Sequence, residues 1–184
     1  MNAIQYLILT IMGLYAFILI LRTWLQYCRV DFYNPISQTI VKLTQPVLSP
    51  LRKIIPSLNN IDLAALFVAF ILCSLKYPVL NFLVGQTTIN WGLALLIGAL
   101  SVVKTFGELI FWAILIRAIM SWFSGGNSQA EYLLYQITEP LLAPIRRILP
   151  RTGMIDFSVM ILGFILIFAN KLGYDFFGTL WLLA

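Results

Sequence analysis

The sequence predicts an all-α membrane protein: two tandem parallel repeats, each a transmembrane helix, a proline-kinked interfacial amphipathic helix and a second transmembrane helix. Three observations carry this reading. The 184 residues are 61% hydrophobic and 10% charged, whereas a water-facing domain carries about 25% charged residues. Several apolar runs approach the roughly 20 residues that cross a bilayer as a helix. The chain also repeats itself internally, which signals duplicated architecture.

The first span runs from about Ile4 to Tyr27 and closes with Arg22, Trp24 and Tyr27, residues suited to an interface. No basic region precedes it and no small-residue cleavage site follows, so it is expected to stay as a span. A polar, proline-containing stretch occupies 28–61, and the second span covers about 62–84. The apolar region Trp91–Phe123 is too long for one simple crossing and too short for two. The span proper is placed at about 99–123. Residues 91–98 either lie at the interface or extend one long tilted helix. A second proline-containing stretch fills 124–155, with Ser124–Asn127 as a turn. The fourth span covers about 156–174 and leaves an apolar tail. The repeats are thus 1–88 and 89–184.

TQPVLSPLRKIIP at 44–56 aligns without a gap on TEPLLAPIRRILP at 138–150, at an offset of 94. Pro46, Pro50 and Pro56 fall on Pro140, Pro144 and Pro150. Arg52–Lys53 falls on Arg146–Arg147, and Asp62 on Asp156. One residue of slippage brings Arg22 onto Arg117. Two spans per unit make the repeats parallel, so both proline-rich loops share one side. That side carries Arg29, Lys42, Arg52, Lys53, Arg146, Arg147 and Arg151. The excess of cations places the loops in the cytoplasm and both termini outside.

Asn34-Pro35 and Ser128-x-x-Glu131 read as helix starts, the first a side-chain cap followed by proline, the second a capping box. Beyond the first start, Ile36, Ile40, Leu43, Val47, Leu51 and Ile54 recur at helical spacing, as in a helix lying among headgroups. Interior proline removes a donor and clashes with the preceding turn. The stretch is therefore expected to be helical to about Thr44, bend at Pro46, restart at Pro50 and end at Pro56.

Two readings compete for Arg52, Lys53, Arg146 and Arg147: anchoring to anionic lipid headgroups, about 1 kcal/mol per cation near the surface, or docking of a cytoplasmic or membrane protein. Asp62 and Asp156 suffice as helix caps, with pairing to Arg52 and Arg146 as a secondary hypothesis. Arg22 and Arg117 either snorkel to the headgroups or pair inward. Deeper in the bilayer, Lys76, Lys171 and Glu108 come out at roughly 21, 22 and 24 Å from the cytoplasmic edge, with Lys104 one turn further out. Glu108 is expected to face the bundle interior and pair with Lys76, Lys104 or Lys171, as a structural ion pair or an ion or proton site.

Other chemistry is missing. There is no histidine, which removes His-based catalysis and His-ligated zinc or haem. No nucleotide loop or nucleophile elbow occurs. Cys28 and Cys73 make no framework and read as small hydrophobes. No enzyme, cofactor or metal is expected, and the scattered cations do not form a nucleic-acid footprint.

At the duplicated loop the sequence resembles the YggT family, also called YlmG-like, in its two-repeat form. The matching residues are the two copies of x-P-x-x-x-P-[IL]-R-[RK]-I-[IL]-P followed by Ile-Asp. The resemblance implies a bacterial inner-membrane protein, with links in some members to osmotic tolerance and ion homeostasis. Plastid relatives look like factors for haem attachment to a cytochrome or for nucleoid distribution. It supplies no catalytic residues. The expected function is a non-enzymatic scaffold or envelope-stress factor with a membrane or cytoplasmic protein partner and a capacity to self-associate. The alternative is a small ion channel or transport modulator using the Glu108–lysine cluster.

Overall fold

The computed structural model describes residues 2–30, 34–57, 60–86, 89–123, 128–149 and 156–184. Seven helices follow one another among these: α1 (Ala3–Tyr27), α2 (Pro35–Leu51), α3 (Leu63–Leu83), α4 (Trp91–Phe123), α5 (Gln129–Ile148), α6 (Phe157–Phe177) and the short α7 (Thr179–Leu183). Pro150, Arg151 and the Ser124–Asn127 turn lie outside the described residues.

Four helices, α1, α3, α4 and α6, are long and apolar enough to cross a bilayer. Their outer surfaces stay apolar: Ile4, Val103, Phe164 and Ile167 are each at least 60% exposed. Water would not tolerate that coat, and lipid would. α4 is unbroken over 33 residues, about 50 Å, so 91–98 belongs to one long helix and not to a separate interfacial segment.

α3 packs between α1 and α4. The α3–α4 approach is close because Gly98 faces Ser74: a Cβ on Gly98 would sit 2.8 Å from the Ser74 Cα. Small residues at such crossings let backbones come together in lipid. One core then runs through both halves, with Leu19, Leu48, Ala65, Ile110, Leu142 and Leu162 in a single cluster.

The ends of the helices are made by local chemistry. Asn34 accepts from the Ile36 amide at 2.9 Å with Pro35 in the first turn, and Ser128 accepts from Ala130 at 3.3 Å. Asp62 and Asp156 cap α3 and α6, accepting from the amides of Ala65 and Ser158. At the other end of α1, the Val30 amide donates to Leu25 O and the Arg29 amide to Gln26 O. This paired pattern closes a helix through a left-handed residue, and Arg29 takes that role at φ 53°.

Three expectations are corrected. First, α2 does not stop at Thr44: it continues to Leu51 with Pro46 and Pro50 inside, and α5 likewise holds Pro140 and Pro144. Each pair of prolines lies four residues apart on one exposed face, so the carbonyls they strand point where water or headgroups can solvate them. Neighbouring side chains support carbonyls beside the break. Arg22 donates to Val41 O at 3.2 Å and Tyr15 to Leu43 O at 3.4 Å, and the Trp24 indole donates to Ile137 O at 2.9 Å.

Second, the apolar stripe of α2 is divided. Ile40 is buried with Ser37, Thr44 and Leu48, whereas Ile36, Leu43, Val47 and Ile54 face outward. Third, Glu108 does not face the interior. It is exposed, and among the described residues it pairs with none of Lys76, Lys104 or Lys171. Lys171 pairs with Asp175 at 3.8 Å, Lys104 donates to Trp181 O at 3.0 Å, and Lys76 lies over Gly13. The tail reaches Lys104 because Gly178, at φ 56° and ψ −126°, turns α7 back. Trp181 then seats on Gly173 and donates to Asn170 at 2.8 Å.

Candidate functional site

The polar chemistry concentrates where α2 and α5 meet the ends of the spans. The two shorter helices lie at the same end of the bundle: the Asn34 amide donates to Gln129 O at 3.2 Å, and the C-terminal part of α1 touches both.

The first cluster is built on Arg22, which is only 4% exposed. A guanidinium withdrawn that far needs its donors filled and its charge matched. Its Nη1 donates to the Thr44 hydroxyl and to Val41 O, and its Nη2 to Gln45 Oε1 at 3.1 Å. Its Nε lies 3.5 Å from Asp62 Oδ2, the same oxygen that accepts from Arg52 Nη2. Asp62, 1% exposed, thus caps α3 with one oxygen and holds two guanidiniums with the other. Thr44 is positioned by donating to Ile40 O at 2.7 Å.

The second cluster has the same plan with one more carboxylate. Arg117 donates to the Thr138 hydroxyl at 2.6 Å, and Thr138 donates to Leu134 O at 2.7 Å. Glu139, at the position of Gln45, receives Arg146 Nη1 at 2.9 and 3.1 Å and lies 3.7 Å from Arg117. Arg146 also reaches Asp156 Oδ2 through Nη2 at 2.6 Å and Nε at 3.0 Å. The Tyr135 ring stacks under Arg117, with 4.8 Å from Cζ to the centroid.

Burial lowers the Arg146 pKa, but the bonds and charges of Asp156 and Glu139 outweigh it and hold the group above its ordinary value. Burial of Asp156 acts to raise its pKa. The Ser158 hydroxyl and amide and Arg146 outweigh that and hold it below the usual carboxylate value. Burial pushes the Cys28 thiol up to about 11, which keeps it inert at neutral pH.

The structure separates each basic pair. Arg52 and Arg146 turn to the aspartates, while Lys53 and Arg147 are exposed. Asp62 and Asp156 join their arginines as well as capping, and Arg22 and Arg117 pair inward. Pro56 follows the last turn of α2, where Ile55 still donates to Leu51 O. Sequence reasoning did not single out Thr44 and Thr138. Their signal was present, since each is the first residue of an aligned block.

Two cavities accompany these features. One, of about 360 Å³, opens at the first cluster among Arg22, Gln26, Gln38, Lys42, Gln45 and Arg52. The other, of about 400 Å³, lies between α4, α6 and α7. It is mostly apolar, with Lys104, Glu108 and Asn170 in its wall. Among the described residues no group of side chains is suited to hold a metal ion.

Four apolar helices define a multi-pass helical membrane protein. A family model described as CCB3/YggT matches residues 1–83 and again 96–177. The chain belongs to the CCB3/YggT family. It is 50% identical over 182 residues to an uncharacterized protein in the proC 3′ region of Vibrio alginolyticus, covering 98% of each chain. It is 49% identical over 170 residues to the uncharacterized protein YggT of Escherichia coli K12, covering 92% of this chain and 88% of that one. An uncharacterized protein of Haemophilus influenzae is 48% identical over 175 residues, with coverage of 95% and 93%. No solved structure matches.

Proposed function

We propose that this protein is a non-enzymatic scaffold of the bacterial inner membrane, made of two parallel helix–interfacial helix–helix repeats. Both interfacial helices lie on the cytoplasmic face and both termini outside. There α2 and α5 hold anionic lipid and dock a membrane or cytoplasmic protein, in support of envelope function and osmotic tolerance.

The observation that carries this reading is the outward face of α2 and of the turn that follows it. Ile36, Leu43, Val47 and Ile54 are 40–78% exposed, and exposed Lys42 and Lys53 flank them. An apolar stripe bordered by cations fits the boundary between acyl chains and phosphates. On α5 the exposed Tyr132, Tyr135, Ile148 and Arg147 repeat the combination. The clusters behind these faces hold the helices rigidly, as a docking platform requires.

The test is reconstitution of the full chain into vesicles mixing phosphatidylglycerol with phosphatidylcholine. Phosphatidylglycerol is expected to be enriched around the protein. Replacing Lys53 and Arg147 by Gln is expected to cut the enrichment by about fivefold per cation, from about 1 kcal/mol each. The vesicles are expected to remain tight to cations. A cation flux that changes with Glu108→Gln would overturn the scaffold in favour of a channel.

A further inference from the structure

The two clusters differ by whole charges. In the first, Arg22 and Arg52 share one carboxylate, Asp62, and Lys42 lines the same cavity as the two arginines. In the second, Arg117 and Arg146 face two carboxylates, Glu139 and Asp156. The residue aligned with Lys42 is the neutral Gln136. Helix-end dipoles are common to both halves and cancel from the comparison. The first cluster is therefore short of negative charge at the place where the second supplies a carboxylate.

That place is open. The cavity of about 360 Å³ lies between the two guanidiniums, and no acidic side chain lines it. Among the described residues Arg52 bonds only Asp62, through Nη2, which leaves Nε and Nη1 without a protein acceptor. Gln45 accepts from Arg22 through its oxygen, so its amide NH₂ remains a free donor. Lys42 adds an exposed ammonium. A cavity walled by three cations (Arg22, Lys42 and Arg52) and three neutral amides (Gln26, Gln38 and Gln45), with no carboxylate among them, recognises an anion. A planar guanidinium fork matches the oxygens of a phosphate group bidentately.

The geometry points to a phosphate-binding site in the first half, at the cavity between Arg22, Lys42, Gln45 and Arg52, occupied where Glu139 supplies an internal carboxylate in the second half. The ligand carries at least one phosphate monoester or diester. An anionic lipid headgroup and a free phosphate compound share that chemistry. The site deepens the interfacial reading of α2 and rests on it for the lipid source alone.

The two halves provide reciprocal variants. Gln45→Glu imports the second half's own residue into the first, where an equivalent ion-pair geometry already holds. Glu139→Gln removes the internal anion from the second. The full chain in uncharged detergent is assayed with radiolabelled inorganic phosphate, and separately by native mass spectrometry with phosphatidic acid against phosphatidylcholine. One bound phosphate group per chain is expected. Gln45→Glu and Arg52→Gln should each weaken binding by about tenfold or more, and Glu139→Gln should gain a second equivalent. Gln45→Glu should melt no lower than wild type, so its loss of binding does not reflect unfolding.

Binding of inorganic phosphate without lipid preference assigns a soluble compound, and binding of phosphatidic acid alone assigns a headgroup. Either supports the site. Absence of both from the wild type, or binding that Gln45→Glu leaves unchanged, overturns it. Lys53 and Arg147 do not line the cavity, so the vesicle experiment above can fail while this one succeeds, or the reverse.

Discussion

Arg22 and Arg117 are held by the same kinds of group in the two halves, yet their surroundings balance differently. Around Arg22 a single, nearly inaccessible carboxylate serves two guanidiniums and a helix start at once. Around Arg117 the same tasks are shared between Glu139 and a half-open Asp156. One cluster concentrates its dependence on one residue, and the other distributes it. Sites with distributed partners tolerate loss, whereas a buried charge left alone does not.

The largest expected effect follows from that concentration. Asp62→Ala removes a cap and strands Arg22, and is expected to cost about 3–5 kcal/mol. Asp156→Ala leaves Arg146 with Glu139 and should cost about 1 kcal/mol, the usual loss of a cap. Thermal unfolding of both variants in detergent reads the contrast, and equal losses would break it.

A smaller effect tests the position where the clusters diverge. Glu139→Gln is expected to destabilise by about 1–2 kcal/mol, because Arg117 and Arg146 lose their common acceptor. Gln45→Glu should stabilise by a few tenths of a kcal/mol, within the range for a partly exposed pair. Melting temperatures of the two single variants and the double swap check this.

The smallest effect is in pH. Asp156 titrates below its ordinary range in the folded chain. Its contribution is thus complete above the unfolded carboxylate value of about 3.9 and fades as pH falls through the lower folded value. The amplitude is small because the side chain is 41% exposed and salt screens it. Asp156→Asn should flatten that part of the melting-temperature profile. An unchanged slope would show that Arg146 leans on Glu139 alone.

Much of this was legible in the sequence. Apolar length marked the four spans, and Asn34, Ser128, Asp62 and Asp156 stood where caps belong. The basic pairs and aspartates aligned at one offset, so their pairing could be raised. The orientation of Glu108 was not legible, because α4 is apolar on all sides and offers no stripe from which to read a face. The prolines misled for a different reason. Their cost depends on what reaches the stranded carbonyls, and Arg22, Tyr15 and Trp24 come from a helix remote in the chain. The Gln45–Glu139 difference was visible but had no meaning until Arg146 was seen to divide itself between two acids.

The indole of Trp24 ends on a carbonyl more than a hundred positions away, Ile137 O, and Leu25, Val30 and Ile40 share a core with Leu133 and Ile137. Neither half can loosen without exposing a donor, an acceptor and apolar surface that belong to the other. The two halves are therefore expected to melt as one cooperative unit, with damage to either arginine nest felt on both sides of the seam.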